Sequence, residues 1–121
     1  MTQPQFRVDR QLLDHNRTVL TVVGELDVAS ARDFKEILFE VIATGPDAVI
    51  VDMARTTFVD SSGLAALLTG VKRLRPREGC LVLATANPSI AHSLQIIGLS
   101  DVLPIYPTRE AAIAALNERD S

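Results

Sequence analysis

The chain has 121 residues, of which 47% are hydrophobic and 22% charged, and its formal net charge is −3. This length suits one domain, and this balance is typical of a globular protein rather than a disordered one. Because clustered Lys and Arg supply most non-specific affinity for nucleic acids, the acidic balance argues against a nucleic-acid partner. No apolar stretch reaches the roughly 20 residues of a membrane helix. We therefore expect no membrane partner and a cytoplasmic location.

An antiparallel hairpin is predicted at the start of the chain. The segments 6–13 and 18–25 have the residue types of strands, and a polar turn at 14–17 joins them. A helix follows, which Ser30 can cap. Its apolar residues recur at helical spacing and are Phe34, Ile37, Leu38, Val41 and Ile42. The pattern ends near the Gly-Pro pair at 45–46, and the apolar face should pack on a sheet.

A buried strand and a second helix are predicted next. The run 48–53 has the length and β-branching of a buried strand. Asp60 or Ser61 can cap the first turn of the helix by accepting backbone N–H groups. The apolar positions of this helix are Leu64, Leu67, Leu68, Val71 and Leu74, and a break follows at 76–79. Ser61 thus falls at a helix N-terminus, where an exposed phosphate is favoured by about 0.3–1 kcal/mol.

The same alternation continues to the end of the chain. A strand is predicted at 80–85, and Asn87 then caps a third helix that ends at Gly98. A short strand at 102–105 precedes a terminal helix capped by Thr108. We therefore predict an α/β fold with a mixed β-sheet, in which parallel crossovers follow the N-terminal antiparallel hairpin, and about four α-helices.

The sequence lacks the residue patterns of common enzyme mechanisms. Nucleophilic hydrolysis would need Ser61 or Ser62 beside a base, but His15 falls in the predicted hairpin turn and His92 in the third helix. Asp60 as an aspartyl-phosphate acceptor would need a further acidic pair and a lysine. No phosphate-binding glycine loop, dinucleotide motif or His/Cys cluster at metal-ligand spacing is present. We therefore expect no enzyme activity, no catalytic residue, no cofactor and no metal.

Two short motifs each lie between a predicted strand and a predicted helix. The first is Gly-Glu-Leu-Asp at 24–27, and the second is Asp-Ser-Ser-Gly at 60–63, preceded by Phe-Val. With the order of elements around them, they resemble the anti-sigma factor antagonists, small bacterial proteins built from a single STAS domain. The resemblance covers almost the whole chain. It implies a STAS-like fold over 5–117, with short termini at 1–4 and 118–121.

The resemblance also implies a function, which is partner switching. In the family, the hydroxyl just after the Asp is the phosphoacceptor, and that position is Ser61 here. The unphosphorylated form binds an anti-sigma factor with serine kinase activity and frees a sigma factor, phosphorylation abolishes binding, and a serine phosphatase restores it. The partner-binding residues implied are Asp27, Asp60, Ser61, Ser62 and Gly63. Ala65 departs from the second glycine that many relatives carry, and we expect a monomer.

Two alternatives remain open for these motifs. Asp-Ser-Ser-Gly is an ordinary helix start, so Ser61 could serve only as a cap, and Asp27 could likewise cap the first helix. A non-switching STAS subunit of a transporter or of a signalling scaffold would need nothing more from these residues.

Two further features concern the predicted surface. Phe39 lies off the apolar stripe of the first helix, so it either faces solvent or contacts a partner. A basic cluster falls at the end of the second helix and consists of Lys72, Arg73, Arg75 and Arg77. Cations there complement the helix dipole. An electrostatic edge for an acidic partner is the alternative role of this cluster.

Overall fold

Six strands and four helices lie within residues 5–99 and 101–119, which are the residues that the computed structural model describes. The strands are β1 (Arg7–Asp14), β2 (Arg17–Leu26), β3 (Ala48–Asp52), β4 (Thr56–Val59), β5 (Cys80–Ala84) and β6 (Ile105–Tyr106). The helices are α1 (Val28–Ala43), α2 (Ser61–Leu74), α3 (Pro88–Ile96) and α4 (Arg109–Arg119), and a 3₁₀ turn, Arg75–Arg77, follows α2. None of the helices in this part of the chain has both the length and the apolar composition needed to cross a bilayer.

All six strands belong to one mixed sheet. Five of them run in the order β1-β2-β3-β5-β6, with β1 antiparallel to β2 and the other pairs parallel. The sixth strand, β4, also pairs with β2 in parallel: residues 17–21 of β2 face β3, whereas residues 24–26 face β4. The two short strands therefore follow one another along the same edge of β2. The predicted α/β fold, with its opening hairpin and parallel crossovers, is confirmed.

Helices cover the central strands on both faces. The larger hydrophobic cluster joins apolar residues of α1, α2 and α3 to the strand residues Leu20, Val22, Val49, Val51, Leu81 and Leu83. The smaller cluster joins Ala112 and Leu116 of α4 to Val19, Ala48, Ile50 and Val82. Because β3 and β5 are buried on both faces, their sequences are continuous apolar runs rather than alternating ones.

The sequence-based prediction lacks β4, which carries the chain to the second motif. After β3, Asp52 Oδ1 accepts the N–H of Ala54 at 3.0 Å and closes a tight turn. The Met53 carbonyl then accepts the N–H of Thr56 at 3.0 Å. The buried Thr56 hydroxyl donates to the carbonyl of Val22 at 2.7 Å and fixes β4 against β2. Four residues are too few for a clear strand pattern, so only this long-range pairing defines β4.

The predicted strand at 102–105 is wrong in position, because β6 begins where that prediction ends. The N–H groups of Val102 and Leu103 both donate to the carbonyl of Leu99, at 3.1 and 2.9 Å, and so belong to a turn after α3. Only the two residues of β6 pair with β5. The apolar composition at 102–105 suits a strand, but the bonds to Leu99 determine the backbone there.

Candidate functional site

The two motifs meet at one edge of the sheet. Strand β2 ends at Leu26 and β4 ends at Val59, and these two residues are partners in the parallel register. The N–H of Asp60 continues this pairing by donating to the Leu26 carbonyl at 3.1 Å. The starts of α1 and α2 are therefore neighbours, although thirty-odd residues of sequence separate them.

Asp27 caps the N-terminus of α1. Its Oδ1 accepts the N–H groups of Ala29 and Ser30 at 3.0 and 3.1 Å. The Ser30 hydroxyl in turn accepts the N–H of Asp27 at 3.0 Å, which completes a capping box. The same hydroxyl donates to the Glu25 carbonyl at 2.7 Å. The prediction that Ser30 is the cap is therefore wrong, since Ser30 is the third residue of the helix and supports the cap from inside.

Asp60 caps α2 and also holds the start of α1. Its Oδ1 accepts the N–H groups of Ser62 and Gly63 at 2.9 and 3.2 Å. Its Oδ2 accepts the N–H of Val28, the first residue of α1, at 3.1 Å. A single carboxylate thus satisfies free N–H groups at two helix N-termini, which would otherwise lack partners.

Ser61 is the first residue of α2 and is exposed. Its hydroxyl has no hydrogen-bond partner among the residues that the structure describes. Because the carboxylate of Asp60 forms the cap, the alternative in which Ser61 itself caps the helix is wrong. The site therefore presents an accessible hydroxyl at the positive end of a helix dipole, where added negative charge is favoured.

The carboxylate of Asp27 is kept in its charged form by the capping box. The backbone N–H of Ser30 is the main cause that lowers the pKa of Asp27 below its ordinary value of 3.8. Burial opposes this effect, whereas the Ser30 hydroxyl and the N–H of Ala29 reinforce it. The edge that carries Ser61 therefore also carries a negative charge at neutral pH.

Gly63 lies where α2 closely approaches Leu26 at the end of β2. A Cβ at this position would lie 2.8 Å from Leu26 Cγ and 2.9 Å from the Leu26 carbonyl oxygen. The backbone oxygen cannot move aside as a side-chain end can, so glycine allows this close approach. Of the predicted site residues, Asp27, Asp60, Ser61 and Gly63 meet at the junction. Ser62 instead lines a groove between α1 and α2.

Two exposed apolar side chains stand next to the motifs and were not among the predicted site residues. Val28 begins α1 and is 75% exposed, and Phe58 in β4 is 49% exposed. Val28 directly follows the first motif, and Phe58 lies two residues before the second. Large apolar side chains at these positions are the sequence signal that could have identified them.

The other residues considered for chemistry lie elsewhere. His15 is exposed in the turn between β1 and β2, at the end of β2 opposite to Asp27, and His92 is exposed on α3. Within residues 5–99 and 101–119, no group of three or more His, Cys, Asp or Glu side chains could hold a metal ion.

Comparison with known proteins adds a family and named relatives. The STAS domain family matches residues 7–112. The anti-sigma-F factor antagonist RsfA of Mycobacterium tuberculosis is 28% identical over 118 residues, covering 94% of this chain and 92% of that protein. The anti-sigma-B factor antagonist of Listeria monocytogenes is 32% identical over 93 residues, covering 76% of this chain and 81% of that protein. The crystal structure of an anti-sigma factor antagonist from Mycobacterium paratuberculosis superposes with a TM-score of 0.83 at 25% identity, covering 93% of this chain and 95% of that one.

Proposed function

The chain belongs to the STAS domain family, and from this membership we propose that it is an anti-sigma factor antagonist that acts by partner switching. Unphosphorylated, it binds an anti-sigma factor that has serine kinase activity, and so frees a sigma factor. That partner phosphorylates Ser61, the complex dissociates, and a serine phosphatase restores the binding form. The family membership agrees with the resemblance predicted from the two motifs.

The exposed hydroxyl of Ser61 is the observation that carries this proposal. It makes no hydrogen bond with the described residues, so its modification removes no contact that holds the fold. A phosphate at the first residue of α2 also lies where the helix dipole favours negative charge. Phosphorylation would therefore change the surface charge and leave the helix folded.

The apolar side chains beside Ser61 support a protein partner. Val28 and Phe58, which stand next to the two motifs in the sequence, expose large fractions of their surface. Aromatic and aliphatic side chains of this kind form the dry centre of protein interfaces, surrounded by polar groups. Val28 donates its N–H to Asp60, the residue before Ser61, and Phe58 lies three residues before Ser61 in the sequence.

Electrostatics explain how one phosphate could abolish binding. The phosphate adds about −1.5 to −2 charges next to the carboxylates of Asp60 and Asp27. Changing a bound-to-free ratio from about 99:1 to 1:99 takes about 5.5 kcal/mol of differential affinity. Two like charges about 4 Å apart at an effective dielectric near 20 repel by roughly 4 kcal/mol. The repulsion between a doubly charged phosphate and an acidic partner group is therefore large enough to change the bound state into the free state.

A non-switching STAS subunit of a transporter or scaffold is the other function considered from the sequence. In that function Ser61 would serve only as a helix cap, but in the structure Asp60 is the cap of α2. No contact of the described residues favours the scaffold over the switch.

The test uses the kinase-type anti-sigma factors encoded in the host genome, each purified and titrated calorimetrically. We expect one of them to bind the wild type and Ser61→Ala, and to bind Ser61→Asp about 100-fold or more weakly. Thr108→Asp is the matched control, since it adds a carboxylate at an exposed helix cap on α4, which packs on the opposite face of the sheet. Equal affinity of Ser61→Ala and Ser61→Asp would contradict the switch.

A further inference from the structure

We infer that the groove between α1 and α2 binds an acidic segment of the anti-sigma factor, an inference that rests on the proposed function. The groove has a volume of about 480 Å³ and opens at Ser62, next to the proposed phosphorylation site. Three alanines line it, namely Ala31 of α1 and Ala65 and Ala66 of α2. Because these side chains are small, the two helices leave room between them for the side chains of another protein.

An aromatic ring lies at the end of the groove remote from Ser62. Phe39 of α1 is half-buried there, and the guanidinium of Arg73 on α2 lies 3.8 Å above its ring centroid. The sequence left open whether Phe39 faces solvent or a partner. In the structure this ring lines the groove and holds the Arg73 cation next to it.

The rim of the groove is positive although the chain as a whole is negative. Arg32 and Lys35 lie along α1 and Arg73 along α2, with Glu36 as the carboxylate among them. None of the three cations forms an ion pair with another described residue. Their charges are thus available to an incoming partner.

The opposite side of α1 has the reverse charge. A separate shallow depression there is lined by the carboxylates of Glu25, Asp27 and Asp33. Helix α1 therefore divides the surface near Ser61 into a basic side and an acidic side. An acidic segment fits the basic side and would be repelled from the other, so the charges select both the chemistry of the partner and the groove that it enters.

The position of the groove couples it to the switch. Ser62 lines the groove, and Ser61 precedes it at the start of α2. A phosphate on Ser61 would therefore place negative charge at the mouth of the groove that receives the acidic segment. The same negative segment is attracted by Lys35 and Arg73 and repelled by phosphoserine.

The test compares two neighbouring cations of the same cluster. Arg73 stacks on Phe39, which lines the groove, whereas Arg75 is exposed and stacks on no residue of the groove. Binding of the purified anti-sigma factor to Lys35→Glu, Arg73→Glu and Arg75→Glu is measured by surface plasmon resonance at low and high salt. We expect about a tenfold or greater loss of affinity for the first two, with slower association at low salt, and a change within about twofold for Arg75→Glu.

An uncharged variant tests occupancy of the groove. Ala65 is exposed on its rim, and Ala65→Gln should fill part of the space and weaken binding without changing the melting temperature. If Lys35→Glu and Arg73→Glu bind as Arg75→Glu does, while Ser61→Asp still loses binding, the groove inference is wrong and the proposed function stands. If the wild type binds none of the anti-sigma factors, both are wrong.

Discussion

The starts of α1 and α2 are built alike but leave their serines in different states. In each, an extended Asp precedes the helix, with φ and ψ of −118° and −171° at Asp27 and of −101° and −173° at Asp60. Each carboxylate accepts two N–H groups of its own helix. In α1 the serine is the buried third residue, Ser30, and its hydroxyl makes hydrogen bonds. In α2 it is the exposed first residue, Ser61.

This difference shows that helix capping alone does not decide which serine is accessible. A serine at the third position points back at the cap and is used by the capping box. A serine at the first position points away from the cap, so Ser61 remains accessible. Gly63 stands at the third position of α2, where a side chain would collide with Leu26. The start of α2 thus lacks a capping box and instead packs closely against β2.

The largest expected effect separates the two serines by function. Under the proposed function, Ser61→Ala should abolish phosphate transfer from the anti-sigma factor, whereas Ser30→Ala should leave it intact. Ser30→Ala should instead destabilise the fold by about 1 kcal/mol, because it removes a buried hydroxyl from its hydrogen bonds. Intact-protein mass spectrometry after incubation with ATP and urea unfolding measure the two effects. Phosphate on Ser61→Ala, or loss of transfer in Ser30→Ala, would contradict this division, and Ser62→Ala should be phosphorylated as the wild type.

A methyl group at Gly63 tests the close packing of the second junction. Gly63→Ala should lower the free energy of unfolding, because overpacking costs about 1–3 kcal/mol and better helix propensity returns at most about 1 kcal/mol. The propensity term is measured separately with Ala65→Gly at an exposed position of the same helix. A Gly63→Ala protein that is more stable than the wild type would show that α2 can move away from Leu26.

Removal of the Asp60 carboxylate tests its double role. Asp60→Ala should lower the free energy of unfolding by about 1–2 kcal/mol, because the N–H groups of Ser62, Gly63 and Val28 lose their acceptor. Asp60→Asn keeps an acceptor oxygen and should lose less. We expect Asp60→Ala to destabilise more than Asp27→Ala, since only Asp60 holds both helices. If urea unfolding shows that both variants lose the same free energy of unfolding, the hydrogen bond to Val28 does not contribute to stability.

The smallest expected effect concerns acid stability. The pKa of Asp27 is lower in the folded protein than its ordinary value of 3.8, so its stabilising effect is present above that value and is lost as the pH falls through the folded pKa. Asp27→Asn should therefore flatten the fall in melting temperature below about pH 4. The pKa of Asp14, which lies at the far end of β2, is also lowered, mainly by Arg17. Asp14→Asn is therefore the control that measures the effect of losing a carboxylate of lowered pKa away from the two motifs. If the melting temperature of Asp27→Asn falls at low pH as steeply as that of the wild type, the charge of Asp27 does not stabilise the fold.

Local patterns predicted most elements of the fold. The Asn87 cap with Pro88 as the first residue of α3 is confirmed, as is Thr108 at the start of α4. These predictions succeed because caps and apolar periodicity act within one or two turns of the chain. Strand β4 and the place of β6 could not be predicted in the same way, since each depends on pairing with a distant strand.

The candidate site divides along the same line. The motif residues could be found from their types and order, including Asp60 as one of two possible caps. The bond from Val28 to Asp60 and the stacking of Arg73 on Phe39 could not be found, because each joins residues on different elements. Tertiary packing also revealed that Arg73 stacks on a ring of the groove lining while Arg75 does not.

The sequence by itself determined that strands and helices alternate and that Asp27 and Asp60 stand where strands give way to helices. The reason is that hydrogen bonds of capping and burial of one face are local properties. Only the tertiary structure decided that the two junctions meet and that Ser61 is exposed between them. Both depend on β4 pairing with β2, in which Thr56 binds Val22 across 34 residues of chain, and such contacts leave no periodic trace in the sequence.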